Sequence, residues 1–369
     1  MEYEEPLFYR VGQYAADADR DVVDMVSGNP DWDPPAGVRD GLRAYADADP
    51  ADFQYPPSEG LAELKEGIAE IRGGDPESVV VTNGAAEANY LGMAAALDRG
   101  AGDEVLLTDP VYPYYPGKVS MLGGTVRYVE TAADGHLDPD AVRAAASDET
   151  ACIVVNTPNN PTGAVLDAAT MRELVAVAEA HDAILVSDEV YHRFDYSGRF
   201  ASALAVDSPH RVVTGSFSKS FAITGYRVGY AILSKSLADA ARTRHMLTNV
   251  SASRPAQRAV LRGLETVGPD YFETARETLR NRVETFTAAL DEVGAEYTTP
   301  EGAFYVLVRV PDFPGTMANT ERLIDEAGVA GMPGETFGEA RADWLRFALV
   351  TPRVDDAAAR LAAFFGDRN

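Results

Sequence analysis

The sequence predicts an α/β fold. It comprises a large domain with a mostly parallel, seven-stranded sheet and helices on both faces, plus a smaller α+β domain formed by the N-terminal segment and the C-terminal third. Two observations carry this expectation. Seven short apolar runs recur between residues 79 and 233, several continuous rather than alternating, as strands covered on both faces should be. Helix-period stretches lie between some of them, and that alternation marks a parallel sheet.

The elements follow in order. Leu61, Leu64, Ile68 and Ile71 recur at helical spacing and stop at Gly73-Gly74-Asp75-Pro76, before the run Val79–Val81. Ala85–Leu97 reads as a helix with Tyr90, Met93 and Leu97 on one side. Further runs fall at Val105–Leu107, Val126–Val129, Ile153–Val155, Ile184–Val186, Val212–Thr214 and Tyr230–Leu233, with a helix over Met171–Ala180. After about residue 265 the rhythm changes. Phe272, Ala275, Leu279, Phe286 and Leu290 mark one long helix, Phe304–Val308 and Leu345–Ala348 read as strands, and helices fall near Glu321–Ala327 and Ala357–Phe365. The expected division is 1–30 joining a small domain, 31–268 as the large domain, and 269–369 as the small C-terminal domain.

Charge bounds the partners. Of 369 residues, 58 are acidic and 32 basic, a net charge of −26, and only Lys65, Lys118, Lys219 and Lys235 are lysines. Such a field repels nucleic acid and anionic membranes, so neither is an expected partner. It suits a salt-rich cytosol, where screening removes self-repulsion, and predicts a halophilic source. No apolar run approaches the roughly 18 residues of a membrane span. The acidic start Met1–Glu5 does not read as a secretory signal, so a cytoplasmic location is expected. Cys152 stands alone inside an apolar run and reads as a buried thiol.

In a parallel sheet the ligand lies beyond the carboxyl ends of the strands. After Val79–Val81 comes Thr82-Asn83-Gly84-Ala85-Ala86-Glu87, a turn into a helix whose free N–H groups suit a phosphate. The later runs are followed by Asn159-Asn160-Pro161-Thr162-Gly163, by Ser187-Asp188-Glu189-Val190-Tyr191, and by Ser216-Phe217-Ser218-Lys219 with Gly225-Tyr226-Arg227. Singly these are weak. A strand-end Asp is often a cap, a lone lysine is usually solvated, and Asp188, Glu189 and His192 lack the second histidine of a metal site. No G-x-G-x-x-G follows a strand, so no nicotinamide fingerprint is present.

In combination, order and spacing, these motifs resemble the class I/II aminotransferases of fold type I, which depend on pyridoxal 5'-phosphate (PLP). Gly28-Asn29-Pro30, Tyr55-Pro56 with Gly60-Leu61, Asp109-Pro110-Val111-Tyr112 and Trp344-Leu345-Arg346-Phe347 extend the resemblance from about residue 25 to the C-terminus. It implies amino transfer between an L-amino acid and a 2-oxo acid, ping-pong, through a Schiff base on Lys219. An aldehyde cofactor needs such an amine, and its pyridine ring takes up electrons best with a protonated nitrogen, which Asp188 would maintain.

The resemblance further assigns Tyr191 and Asn160 to the cofactor's phenolic oxygen. It gives the phosphate to the Gly84, Ala85 and Ala86 backbone, Ser216 and Arg227, and stacks Tyr112 on the ring. Many relatives carry a hydroxyl at one of the two alanine positions, so backbone donors must do more here. Arg346, with Asn160 and Gly28, would grip the substrate carboxylate through paired hydrogen bonds that lysine cannot imitate. Tyr55 would reach the neighbouring subunit's phosphate, which implies a homodimer with shared active sites.

The same motifs fit a PLP-dependent C–S β-lyase of the same fold, which is the alternative. A non-catalytic PLP-fold regulator with a DNA-binding segment is disfavoured by the acidic charge. For a distal substrate carboxylate, Arg10, His192, Arg244, His245 and Arg254 are candidates by position, and Tyr9, Phe53 and Tyr114 for an aromatic pocket.

Overall fold

The computed structural model describes residues 6–100 and 102–366. The acidic opening segment Met1–Glu5 therefore lies outside the described residues. Thirteen strands are present among them: β1 (Val23–Asp24), β2 (Val79–Thr82), β3 (Glu104–Asp109), β4 (Thr125–Glu130), β5 (Thr150–Asn156), β6 (Ile184–Asp188), β7 (Arg211–Ser216), β8 (Gly229–Leu233), β9 (Glu296–Tyr297), β10 (Tyr305–Arg309), β11 (Val329–Ala330), β12 (Met332–Pro333) and β13 (Leu345–Ala348).

All seven apolar runs of the central region are strands of one sheet, ordered β2-β8-β7-β6-β5-β3-β4. β8 pairs antiparallel with both β2 and β7, while every other pairing is parallel. β2, β5, β6 and β8 are buried along their whole length, which explains their unbroken apolar character. β4, at the edge, buries only Val129. Cys152 is fully buried in β5.

The helix Ala85–Leu97 departs from its expected one-sided pattern. Ala88, Asn89, Leu91, Gly92, Met93, Ala94, Ala95 and Ala96 are all buried. The helix lies against the sheet, where a Cβ on Gly92 would come within 3.3 Å of Val186 and Val212, and it also packs on the helix Lys235–Asn249. A helix covered on several sides has no apolar stripe for periodicity to detect.

The C-terminal region forms a second antiparallel sheet, β12-β13-β10-β9, with Leu307 opposite Arg346. Phe286 and Leu290 of the long helix Pro269–Glu292, and Leu361 and Phe365 of the helix Val354–Gly366, pack against Val306, Val308, Leu345 and Phe347. Val23 and Met25 join this cluster, and β1 pairs with β11. The expected helix near Glu321–Ala327 is an α-helix over Met317–Arg322 that widens into a π-helical turn at Leu323–Ala327. The strand expected from Phe304 begins one residue later, at Tyr305.

Candidate active site

β5, β6 and β7 end side by side, with Asn156 opposite Asp188 and Asp188 opposite Thr214. Beyond these ends lies a cavity of about 520 Å³. Ala85, Ala86, Tyr112, Asn160, Asp188, Tyr191, Ser216, Lys219 and Arg227, spread over more than 140 residues of chain, all line it. Gly28, Gly84 and Arg346 stand immediately behind, in contact with lining residues.

Among the described residues Asp188 is the only carboxylate in the lining, and it is 3% exposed. One oxygen, Oδ2, accepts from Asn89 Nδ2 at 2.6 Å and from the Tyr115 hydroxyl at 2.7 Å. The other accepts from the Val190 N–H at 3.1 Å. Burial pushes this carboxyl up, and the three donors oppose that push. Asn89 is itself fixed by the Thr214 hydroxyl. Neither Asn89 nor Tyr115 is apparent as a site residue from the motifs. The one available signal for Asn89 is an amide in an otherwise alanine- and leucine-rich buried helix, where it must find a partner.

Lys219 sits in the short turn Phe217–Ser220 that follows β7, and its Nζ donates to the Gly28 carbonyl. Burial first, then the charges of Arg346 and Arg227, push its amine down to about 8. Tyr191 is buried with its hydroxyl 3.0 Å from that of Tyr305. Asn160 is fixed by a 2.8 Å bond from its N–H to Asn156 Oδ1, and its own Oδ1 accepts from Arg346 Nη1 at 3.4 Å.

Arg346, on β13, is 1% exposed. Its Nη2 donates to the Val26 carbonyl and its Nε has no partner. The guanidinium lies 4.5 Å from the Tyr305 ring centre, 5.1 Å from Phe8 and 5.2 Å from Phe337. Among the described residues no carboxylate pairs with it. A buried cation with no carboxylate in direct contact, and only Asp24 acting on it from further off, is costly, so this arrangement suits an anionic ligand.

The helix Ala85–Leu97 opens at the cavity, where its first N–H groups have no intrahelical acceptor. Gly84 takes φ +82°, and a Cβ there would lie 2.4 Å from Arg227 Nη2, so only glycine lets the guanidinium close on the turn. Arg227 also donates to the carbonyls of Thr224 at 2.8 Å and Asn83 at 3.3 Å. The Ser216 hydroxyl is buried without a hydrogen-bond partner among the described residues. An orphaned hydroxyl, a guanidinium and a helix N-terminus together suit a dianionic phosphate. With a depressed amine and a buried carboxylate in the same cavity, the residues fit PLP.

Other expected positions separate from the cavity. Tyr9 and Tyr114 line it, whereas Phe53 is 52% exposed and packs on Tyr45. Tyr55 is 81% exposed and outside the lining. None of the five cations considered for a distal carboxylate lines the cavity. Arg10 borders another hollow, His192 bonds the Glu189 carbonyl, Arg244 pairs with Asp98, His245 bonds Glu87, and Arg254 pairs with Asp52. Glu189 is taken by a buried ion pair with Arg72 and by bonds from Ser187 Oγ and the Ala203 N–H.

Residues 20–361 match the family model for aminotransferase class I and II. The chain is 35% identical to the aspartate/prephenate aminotransferase of Thermus thermophilus over 94% of this chain and 91% of that protein. It is 33% identical to the aspartate aminotransferase of Thermotoga maritima over 94% and 92%. The solved structure of the Thermus thermophilus aspartate aminotransferase with maleate superposes with a TM-score of 0.89, covering 98% of this chain and 97% of that one at 33% identity.

Proposed function

The chain belongs to the class I and II aminotransferases, enzymes that depend on PLP and move an amino group between an amino acid and a 2-oxo acid, and from that premise we propose how its residues divide the work and which donor it takes. The relatives above are named for transamination, and the C–S lyase alternative is not favoured.

When bound, PLP supplies the aldehyde that takes up the amino group and the ring that receives the electron pair left by the departing α-proton. Lys219 anchors it. An amine that loses its proton near pH 8 is partly neutral at physiological pH, so it can act as nucleophile and then carry the proton from the substrate's Cα. Asp188, buried and held by Asn89 and Tyr115, keeps a proton on the ring nitrogen. Tyr191 and Asn160 donate to the phenolic oxygen. Arg346 takes the substrate carboxylate, and Asn160, already in contact with it, fixes the angle of approach. Ser216, Arg227 and the Gly84–Ala86 backbone would hold the phosphate, and Tyr112 would cover the ring. The observation that carries this reading is the convergence of Lys219, Asp188, Tyr191 and Asn160 on one cavity backed by a buried, unpaired Arg346.

L-Aspartate is the proposed donor, on the names of the relatives. Among the described residues of this chain, Lys219 and Arg227 are the only lysine and arginine in the cavity lining, and Tyr9, Asn29 and Tyr114 line the same cavity as hydroxyl and amide donors for the second carboxylate of such a donor. A panel of L-amino acids assayed with 2-oxoglutarate, pyruvate and oxaloacetate tests this. Aspartate is expected to show the highest kcat/KM, and a higher value for an aliphatic donor would overturn the assignment.

The proposal extends to the assembly. Residues 31–268 form the cofactor domain, with 1–30 and 269–369 as the smaller unit, supported by the packing of Val23 and Met25 on Phe286 and Leu361. Phe53, Tyr55, Met246, Leu247 and Val250 are large apolar side chains left exposed, and the Arg254–Asp52 pair links their two segments. Their exposure on two linked segments supports a homodimer in which Tyr55 reaches the partner's site. No helix of the described residues is long and apolar enough to cross a membrane, and the proposed location is a salt-rich cytoplasm, supported by the −26 charge. Sedimentation and melting with and without concentrated KCl are expected to show a dimer that melts higher in salt. An active monomer, or a melting temperature indifferent to salt, would contradict the corresponding part.

A further inference from the structure

Tyr305 is not among the motif residues, yet it touches three groups of the site at once. It begins β10 in the C-terminal sheet, two residues before Leu307, which lies opposite Arg346 in the ladder. Its side chain is 2% exposed. Its hydroxyl lies 3.0 Å from that of Tyr191, and this is the only hydrogen bond of either hydroxyl among the described residues. Its ring carries the Arg346 guanidinium at 4.5 Å, the nearest of the three aromatic faces around that cation. The hydroxyl also abuts Gly28. A Cβ on Gly28 would lie 2.3 Å from Tyr305 Oη and 3.5 Å from Lys219 Nζ. Any side chain at 28 would therefore displace the Tyr305 hydroxyl while only touching Lys219 Nζ, so glycine is what lets Tyr305 reach this position.

We infer that Tyr305 is a positioning residue that ties the carboxylate grip to the acid–base centre: its hydroxyl donates to Tyr191 Oη, aiming the Tyr191 proton into the cavity, and its ring holds the Arg346 guanidinium. This rests on the roles given above to Lys219, Tyr191 and Arg346. A hydroxyl that accepts one hydrogen bond becomes a better donor of the next. Tyr191 so polarised stabilises negative charge on the cofactor's phenolic oxygen and thereby favours the unprotonated nitrogen of Lys219. The charged or titratable groups facing this pair among the described residues are Arg346, Lys219, Tyr112, Tyr115 and Asp188. The ring contact is a separate device, because a desolvated guanidinium over an aromatic face is held in orientation without a counter-charge.

Two substitutions separate the two halves. Tyr305→Phe keeps the ring and removes the hydroxyl, whereas Tyr305→Leu keeps apolar bulk and removes both. The first readout is the pH midpoint of the holoenzyme's visible cofactor absorbance, which a merely structural role would not move. The second is KM for the best donor of the amino acid panel. Tyr305→Phe is expected to raise the midpoint by about half to one pH unit with KM nearly unchanged. Tyr305→Leu is expected to raise the midpoint likewise and KM by roughly five- to tenfold. A wild-type midpoint in Tyr305→Phe would overturn the hydroxyl's role, and a wild-type KM in Tyr305→Leu would overturn the ring's. A wild-type protein with no titrating band and no turnover would instead sink the functional reading on which both depend.

Discussion

A Lys219→Ala chain is expected to lose transamination, with kcat/KM down by at least about 10⁴-fold, because anchor and proton carrier disappear together. The same substitution is expected to raise the melting temperature of the cofactor-free protein at pH 7. The folded chain holds the lysine proton only up to about pH 8, whereas the unfolded chain holds it to the ordinary 10.5. The unfolded state therefore binds more protons between those values, so stability rises with pH across that window and bears the whole cost of the buried amine below it. Alanine removes that cost. Activity assays and thermal melts of the two cofactor-free proteins read both effects. Retained turnover would remove Lys219 from the mechanism, and a lowered melting temperature would show that the amine is not the burden its surroundings imply.

Asp188→Asn is expected to lower kcat by about 10³-fold while leaving the fold intact. Asparagine retains an oxygen able to accept from Asn89 and Tyr115, which now hold the carboxylate at 2.6 and 2.7 Å, so the change removes the charge and the one bond from the Val190 N–H. Among the described residues Asp188 is the only acid lining the cavity. KM should change much less than kcat, because the substrate carboxylate is gripped by Arg346 from the other sheet. Equal losses in kcat and affinity would mean that Asp188 organises the pocket rather than holding a ring proton.

What the sequence made legible follows from where each signal resides. A strand buried on both faces writes a continuous apolar run, so β2, β5, β6 and β8 could be read from burial alone, and the residues following β5, β6 and β7 necessarily meet at one rim. Lys219 and Asp188 stand in such positions. Asn89, Tyr115 and Tyr305 do not. They reach their partners across 99, 73 and 114 residues of sequence, and no local pattern records a contact made only by tertiary packing. The helix Ala85–Leu97 shows the same limit, since burial on several sides erased the stripe that would have oriented it. The residues considered by position for a distal carboxylate do not line this chain's cavity, and Arg244 and Arg254 instead pair with carboxylates of an acid-rich surface, Asp98 and Asp52.

Lys118 makes the decisive measurement a real contest. It is a largely buried lysine whose amine burial also pushes down to about 8, and it donates to the Tyr114 carbonyl at 3.2 Å, one turn of helix from the Tyr115 that bonds Asp188. Reactivity alone therefore does not distinguish the two amines; position does, because Lys219 lines the cavity and Lys118 does not. Borohydride reduction of the holoenzyme, followed by peptide mass mapping, locates the amine that carries the cofactor. The expected result is the reduced cofactor mass on the peptide containing Lys219 alone. The same mass on Lys118, Lys65 or Lys235, with Lys219 unmodified, would contradict the account at its centre.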